Sequence, residues 1–343
     1  MGTADLLYTA QALVAPNKGI LAADESSATI KRRFDTIGLE STEPNRRAYR
    51  EMLFTTPGVE QYVSGVILYD ETLRQAASTG MPLAQILADR GIIPGIKVDG
   101  GAKPLAGFPG ETITEGLDGL RERLAEYVSL GARFAKWRAV IDIAPGSPTD
   151  GAISANAHAL ARYAALCQEA GVVPIVEPEV LMDGDHTIER CEEVTTRVLT
   201  EVYYELSRQR VLLEGTLLKP NMVISGKKCA EQAAAKQVAE ATIRTLKRTV
   251  PGAVPGVVFL SGGQTPRQAT EHLSLMNAMG AHPWQVSFSY GRALQDEALK
   301  AWMGRPESAS AGQQAFYRRA KLNGAARNGD YSPAMEAEAA AVR

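Results

Sequence analysis

Cysteine, histidine and aromatic residues are scarce in this 343-residue chain, and neither sign of charge dominates. The three cysteines, Cys167, Cys191 and Cys229, are odd in number, far apart and never arranged as CxxC. That spacing excludes a disulfide framework and a zinc ribbon, and it fits a reducing compartment. The four histidines, His158, His186, His272 and His282, show no HxxxH or HxH ligand spacing, so they read as helix caps or gap fillers and no metal site is expected. No run of about 18 apolar residues occurs, and the N-terminus, whose first basic side chain is Lys18, carries no basic-then-apolar leader pattern. A cytoplasmic protein without a membrane anchor is the expectation. With 37 basic against 39 acidic side chains, the net charge of −2 supplies no global field for nucleic acid or an anionic membrane. A local basic cluster for a small anion remains compatible with that balance.

What the chain has in quantity is alternation. Short β-branched runs are interleaved with longer helical patterns, with no low-complexity linker between them. The strand candidates are Gly19–Asp24, Gly65–Asp70, Ile92–Lys97, Phe134–Val140, Val173–Glu179, Leu212–Lys219, Val257–Ser261 and Gln285–Ser289. Between them lie stripes at helical spacing, such as Leu117, Leu120, Leu124 and Val128 before Gly131, or Leu160, Tyr163, Ala164 and Cys167 before Gly171. A third runs through Cys191, Val194, Val198 and Val202. Every interval between strand ends can hold a crossover helix. Eight such units in series predict an α/β protein of (β/α)₈ TIM-barrel class, one catalytic domain over residues 1–343 with an N-terminal helical segment. The competing open dinucleotide-binding sheet needs a glycine turn after its first strand, whereas Leu21-Ala22-Ala23-Asp24-Glu25-Ser26 has none. Beyond Trp302 an amphipathic stretch, Gln313 to Leu322, precedes a Gly/Ala/Asn/Glu-rich tail, 326–343, expected to be mobile.

Strand side chains alternate faces, so in a barrel residues i and i+2 share the lumen. This parity groups Lys136 with Arg138, pairs Glu177 with Glu179, and puts Lys219 at the end of its strand. Any one of these charges could be a structural ion pair at the barrel floor. Several at the C-terminal strand ends, where barrel active sites gather, form a candidate catalytic set.

Lys219 is the pivotal candidate, because a lysine among other charges can lose its proton, attack a carbonyl and form a Schiff base. The protonated imine is an electron sink for the breaking of a carbon–carbon bond. Lys136 would lower the proton affinity of Lys219, Glu177 would move protons during imine formation, and Asp24 would take the proton of a substrate hydroxyl. The loops Ser261-Gly262-Gly263 and Ser289-Tyr290-Gly291-Arg292 follow the last two strands, where barrels commonly bind phosphate. Six cations, Arg33, Lys97, Lys136, Arg138, Lys219 and Arg292, face three carboxylates, Asp24, Glu177 and Glu179, and this excess suits a doubly phosphorylated substrate. Asp70 and Asp99 would trim it. Ser225-Gly226-Lys227-Lys228 lacks the spacing of a P-loop and reads as a turn with solvated lysines.

With these residues in view, the sequence resembles the class I fructose-1,6-bisphosphate aldolases. The resemblance rests on Gly19-Ile20-Leu21-Ala22-Ala23-Asp24-Glu25-Ser26, Gly95-Ile96-Lys97-Val98-Asp99, Phe134-Ala135-Lys136-Trp137-Arg138, Val176-Glu177-Pro178-Glu179, Leu218-Lys219-Pro220-Asn221-Met222, Leu260-Ser261-Gly262-Gly263-Gln264 and Phe288-Ser289-Tyr290-Gly291-Arg292-Ala293-Leu294. It implies a homotetramer that cleaves fructose 1,6-bisphosphate reversibly, with no cofactor or metal, in glycolysis and gluconeogenesis. Lys219 then matches the Schiff-base lysine, Glu177 the acid/base of carbinolamine dehydration, Asp24 the residue near the deprotonated hydroxyl, Lys136 the lysine that positions intermediates, and Glu179 a supporting carboxylate. Ser261, Gly262 and Arg292 match the site of the ketose-end phosphate, and Arg33, Lys97 and Arg138 the basic residues of the other. Many family members end in a Tyr that folds over the site, whereas this chain ends Glu338-Ala339-Ala340-Ala341-Val342-Arg343 and its last Tyr is Tyr331. Either the chain is shortened or this branch manages that proton step another way, with Glu177 as a candidate substitute. The alternatives are a Schiff-base aldolase for another sugar phosphate, such as sedoheptulose 1,7-bisphosphate, and a scaffold protein; the complete Lys/Glu/Asp set argues against the scaffold.

Overall fold

Side-chain alternation along each strand separates two apolar layers in the computed structural model, which describes residues 2–341. The strands are β1 (Gly19–Ala23), β2 (Val63–Leu68), β3 (Ile93–Lys97), β4 (Gly101–Pro104), β5 (Thr112–Glu115), β6 (Phe134–Ile141), β7 (Val173–Val180), β8 (Leu217–Leu218), β9 (Gly256–Phe259) and β10 (Gln285–Tyr290). Eight of them close a parallel barrel in the order β1-β10-β9-β8-β7-β6-β3-β2. The remaining two, β4 and β5, form an antiparallel hairpin beyond the end of β3. Nothing in the sequence had marked that hairpin, because Gly101-Ala102-Lys103-Pro104 has no apolar alternation.

The inner layer is small. Ile20, Ala22, Ile67, Phe134, Val173, Ile175, Leu217 and Val258 pack with Leu6, Ala10, Leu13 and Val14, so the N-terminal helix Thr3–Leu13 closes the floor of the barrel. Glycines admit it: a Cβ on Gly65 would stand 2.6 Å from Leu13 Cδ2, and one on Gly256 2.5 Å from Val14 Cγ1. The outer layer, between strands and helices, is larger and carries Trp137 against Tyr163 with ring centroids 5.6 Å apart. Its helices start where sequence and backbone chemistry agree. Thr149, Thr187 and Thr265 cap the helices Asp150–Glu169, Ile188–Arg208 and Pro266–Ala278 by accepting from backbone N–H groups in the first turn.

Two expectations change in detail. The strand expected over Leu212–Lys219 is only Leu217–Leu218, because Leu213–Gly215 forms a 3₁₀ turn whose flanking backbone is held by Gln168. Lys219 still continues the ladder, its N–H donating to Val176 O at 2.8 Å. The C-terminal segment packs further than its composition implies. The helix Ala309–Arg327 buries Ala326 and Arg327, and Tyr331 is also buried. Arg319, itself buried, pairs with Glu297 at 2.6 Å and with Glu336 at 2.8 Å. Within the expected mobile tail, positions 342 and 343 lie outside the described residues. No described helix is long and apolar enough to cross a membrane.

Candidate active site

The parity that puts Ala22, Gly95, Phe134, Ile175 and Leu217 toward the lumen carries Asp24, Lys97, Lys136, Glu177 and Lys219 to the same side one step higher. There they line a cleft of about 530 Å³ at the C-terminal strand ends. Lys136 and Glu177 are almost fully buried, as is Lys219. Three ion pairs join them in one line: Asp24 Oδ2 to Lys136 Nζ at 2.8 Å, Lys136 Nζ to Glu177 Oε2 at 3.1 Å, and Glu177 Oε1 to Lys219 Nζ at 3.2 Å.

Burial of this kind costs several kcal/mol for each ion unless partners replace water. Here burial alone would raise the Asp24 carboxyl, but the charges of Lys136, Lys219 and Lys97 overrule it and hold the group far below the usual carboxylate range. For Lys136, burial would favour the neutral amine, and Asp24, Glu177 and Asp99 together push its pKa well above the ordinary lysine value. Lys136 is therefore a fixed ammonium, and Asp24 a fixed carboxylate.

Around this line the structure sorts the remaining predicted residues. Lys97 pairs with Asp99 Oδ1 at 2.7 Å and donates to its carbonyl oxygen at 2.8 Å. Arg138 Nε donates to Glu179, and the Arg138 N–H donates to Asp99 Oδ2 at 3.2 Å. Ser261, Gly262, Ser289, Gly291 and Arg292 line the cleft on the β9 and β10 side. The helix Arg292–Trp302 starts directly after Gly291, so its unpaired first N–H groups add a partial positive charge there. Gly263 does not line the cleft; it takes φ +76°, and its place is the turn beside Met182.

Arg33 lies elsewhere than expected. The resemblance groups it with Lys97 and Arg138, which stand on the adjacent strands β3 and β6. Its guanidinium instead reaches Gly291, with Nη2 3.4 Å from where a Cβ on that glycine would sit. Arg33 thus belongs to the side of the cleft that holds Arg292. Asp70 is also displaced: it turns outward into an ion pair with Arg74 at 3.0 Å, and Tyr69 lines the cleft in its place.

Sequence reasoning missed Glu25, Ser26, Thr29, Tyr69 and the Gly100-Gly101-Ala102 backbone, all of which line the cleft. Ser26 carried a usable signal, as the N-cap of the helix Ser27–Asp35. Glu25 carried none, since alternation from Asp24 would point it away from the lumen. With Glu25, Asp99 and the buried Arg50 that shares Glu25, seven cations face five carboxylates, a smaller excess than the sequence count. Among the described residues no three His, Cys, Asp or Glu side chains are grouped to hold a metal ion. The Ser225–Lys228 segment is a turn, with Lys227 paired to Asp183 at 2.7 Å.

A family model described as fructose-bisphosphate aldolase class-I matches residues 5–343. A probable fructose-bisphosphate aldolase class 1 of Xanthomonas campestris pv. campestris is 60% identical over 332 residues, 96% of this chain and 99% of the relative. The fructose-bisphosphate aldolase 4, cytosolic, of Arabidopsis thaliana is 53% identical, over 96% of this chain and 84% of its own length. Among solved structures, the Plasmodium falciparum fructose-bisphosphate aldolase in complex with TRAP and a small-molecule inhibitor superposes with a TM-score of 0.95 at 50% identity, covering 96% of this chain and 95% of that one. A closed eight-strand barrel, the buried lysine–carboxylate line at its C-terminal end and identity of this extent agree: the chain belongs to the class I fructose-bisphosphate aldolase family.

Proposed function

We propose that this cleft cleaves fructose 1,6-bisphosphate reversibly to dihydroxyacetone phosphate and glyceraldehyde 3-phosphate through a Schiff base on Lys219, without a metal ion. The observation that carries the reading is the buried contact of Lys219 Nζ with Glu177 Oε1 at 3.2 Å, inside a cleft with cations at both ends. The amine of Lys219, its proton taken by Glu177, adds to the C2 carbonyl of the open-chain sugar. Glu177 returns a proton to the C2 hydroxyl, water leaves and an iminium remains. Asp24 accepts the C4 hydroxyl proton, the C3–C4 bond breaks, and its electron pair enters the iminium as an enamine. The aldehyde product departs, C3 takes up a proton from solvent while Asp24 gives its own back to solvent, and water releases dihydroxyacetone phosphate from Lys219. Lys136 keeps its charge throughout and stabilises the negative charge that develops at the reacting oxygens.

In this reading Ser261, Gly262, Ser289, Gly291 and Arg292 hold the ketose-end phosphate, while Lys97 and Arg138 stand at the opposite end for the second one. Glu179 tethers Arg138 there. The metabolic setting is glycolysis and gluconeogenesis in the cytoplasm, and the assembly a homotetramer, as the family resemblance implies. Borohydride reduction in the presence of dihydroxyacetone phosphate, followed by peptide mapping, tests the chemistry. Label on the Lys219 peptide is expected; label elsewhere, or none, refutes it. Activity abolished by EDTA and restored by zinc would refute the metal-free part.

A further inference from the structure

Glu25 is 8% exposed, yet one carboxylate there serves two guanidinium groups. Arg33 Nη1 pairs with Oε1, and Arg50 Nη2 donates to Oε2 at 2.5 Å. Gln295 adds a third contact, its Nε2 donating to Oε1 at 3.0 Å and to Ala22 O at 2.8 Å, while its own Oε1 accepts from Tyr49 at 3.1 Å. Tyr49 and Gln295 are about 1% exposed or less, and Arg50 is 3% exposed. This cluster joins the helix Glu43–Phe54, the end of β1 and the helix Arg292–Trp302.

From this geometry we infer that Glu25 is a positioning residue for the ketose-end phosphate: it holds Arg33 against Gly291, with Arg50 and Gln295 as its anchors. The inference rests on the aldolase reading for the identity of the phosphate, and on the structure alone for the placement of Arg33. Three observations support it. First, one carboxylate cannot neutralise two arginines, so the cluster keeps a positive charge that a dianion can use. Second, Arg50 is buried and internal, so it cannot reach substrate; its charge and Gln295 fix Glu25 in one orientation. Arg33 is the only one of the pair at the cleft wall, with its side chain 17% exposed. Third, an arginine side chain surrenders much rotamer freedom when it is ordered, and Glu25 makes that loss before ligand arrives. Burial would raise the Glu25 carboxyl, but Arg33 and Arg50 hold it below its ordinary value, so the tether stays charged at neutral pH.

The experiment is a double-mutant cycle of Glu25→Gln and Arg33→Met, read both as KM for fructose 1,6-bisphosphate and fructose 1-phosphate and as the dissociation constant of inorganic phosphate by calorimetry. Glu25→Gln alone is expected to raise both KM values and the phosphate constant about tenfold, the loss of one charge-assisted contact, with kcat changed less than about threefold. In the Arg33→Met background the same change is expected to add nothing, because Glu25 acts through Arg33. Glu25→Asp should restore part of the affinity. An equal rise in both backgrounds, or an unchanged KM, overturns the inference. If Glu25→Gln does not fold, Gln295→Met loosens the anchor without removing a charge, and an unchanged phosphate constant there overturns the inference equally. A wild-type protein that binds phosphate but cleaves no sugar refutes the aldolase reading, and the phosphate constants of the variants then still decide the role of Glu25.

Discussion

Glu177 sits between Lys136 and Lys219, with one carboxylate oxygen 3.1 Å from the first Nζ and the other 3.2 Å from the second. A group so placed can take a proton from Lys219 while its other oxygen stays paired with Lys136. Lys219→Arg preserves the charge but offers no nucleophile, so borohydride trapping should vanish and the fold remain. Glu177→Gln should slow imine formation by about 10²–10⁴. Single-turnover trapping rates read both; trapping at the wild-type rate in Glu177→Gln would remove Glu177 from the step.

The neighbouring pair makes a prediction about pH. Asp24 stays ionised across the working range because Lys136, Lys219 and Lys97 outweigh the cost of its burial. Its contribution to stability is complete above the unfolded carboxylate range, falls as acid passes below that range, and is gone once acid reaches its depressed native value. An acid limb of kcat between pH 5 and 7 therefore belongs to another group. Asp24→Asn should lower kcat by about 10²-fold or more at every pH without moving that limb. A displaced limb in the kcat profile would assign it to Asp24 after all.

Lys136→Met leaves Asp24 and Glu177 buried with one cation fewer. Breaking buried pairs in this way costs about 3–5 kcal/mol, so a large drop in the urea midpoint is expected along with loss of activity. Lys136→Arg keeps the charge and should recover most of the stability. Equal midpoints for the two variants would show that the pairs are not what the charge supports.

His272 approaches the loop after β9, its Nδ1 2.6 Å from Gln264 Oε1. Burial pushes its pKa down to about 4. The native state then binds fewer protons than the unfolded state between pH 4 and 6.5, so stability is complete above pH 6.5 and falls as acid crosses that window. Full protonation costs about 3 kcal/mol. His272→Asn should flatten this slope, as measured by urea unfolding between pH 4 and 7. An unchanged slope would place the acid sensitivity elsewhere.

Tyr331 donates to Glu336 Oε1 at 2.9 Å and does not line the cleft. Tyr331→Phe should therefore leave proton exchange on dihydroxyacetone phosphate within about twofold of wild type, while losing about 0.5–1.5 kcal/mol of stability with that hydrogen bond. A large fall in exchange would put Tyr331 in the proton step.

Much of the site was legible because strand parity is a local property. Once eight strands are recognised, Asp24, Lys136, Glu177 and Lys219 must share a lumen, since side chains two apart on a strand face the same way. Glu25 escaped for the same reason: parity points it outward, and only the helix Glu43–Phe54 and the helix Arg292–Trp302 bring Arg50 and Gln295 to meet it. The contacts of the tail were not legible from its composition, because alanine and asparagine give no apolar stripe, and Glu336 meets the buried Arg319 only through the tertiary fold.

The sequence by itself determined the barrel class and the chemical types at its C-terminal end, because periodicity and strand-end chemistry are written in consecutive residues. The tertiary structure alone decided which charges meet. Arg33 is closer along the chain to Asp24 than to any phosphate loop, yet closure of β1 against β10 brings it to Gly291. Ring closure joins the first strand to the last, and no local pattern encodes which side chains that seam will place together.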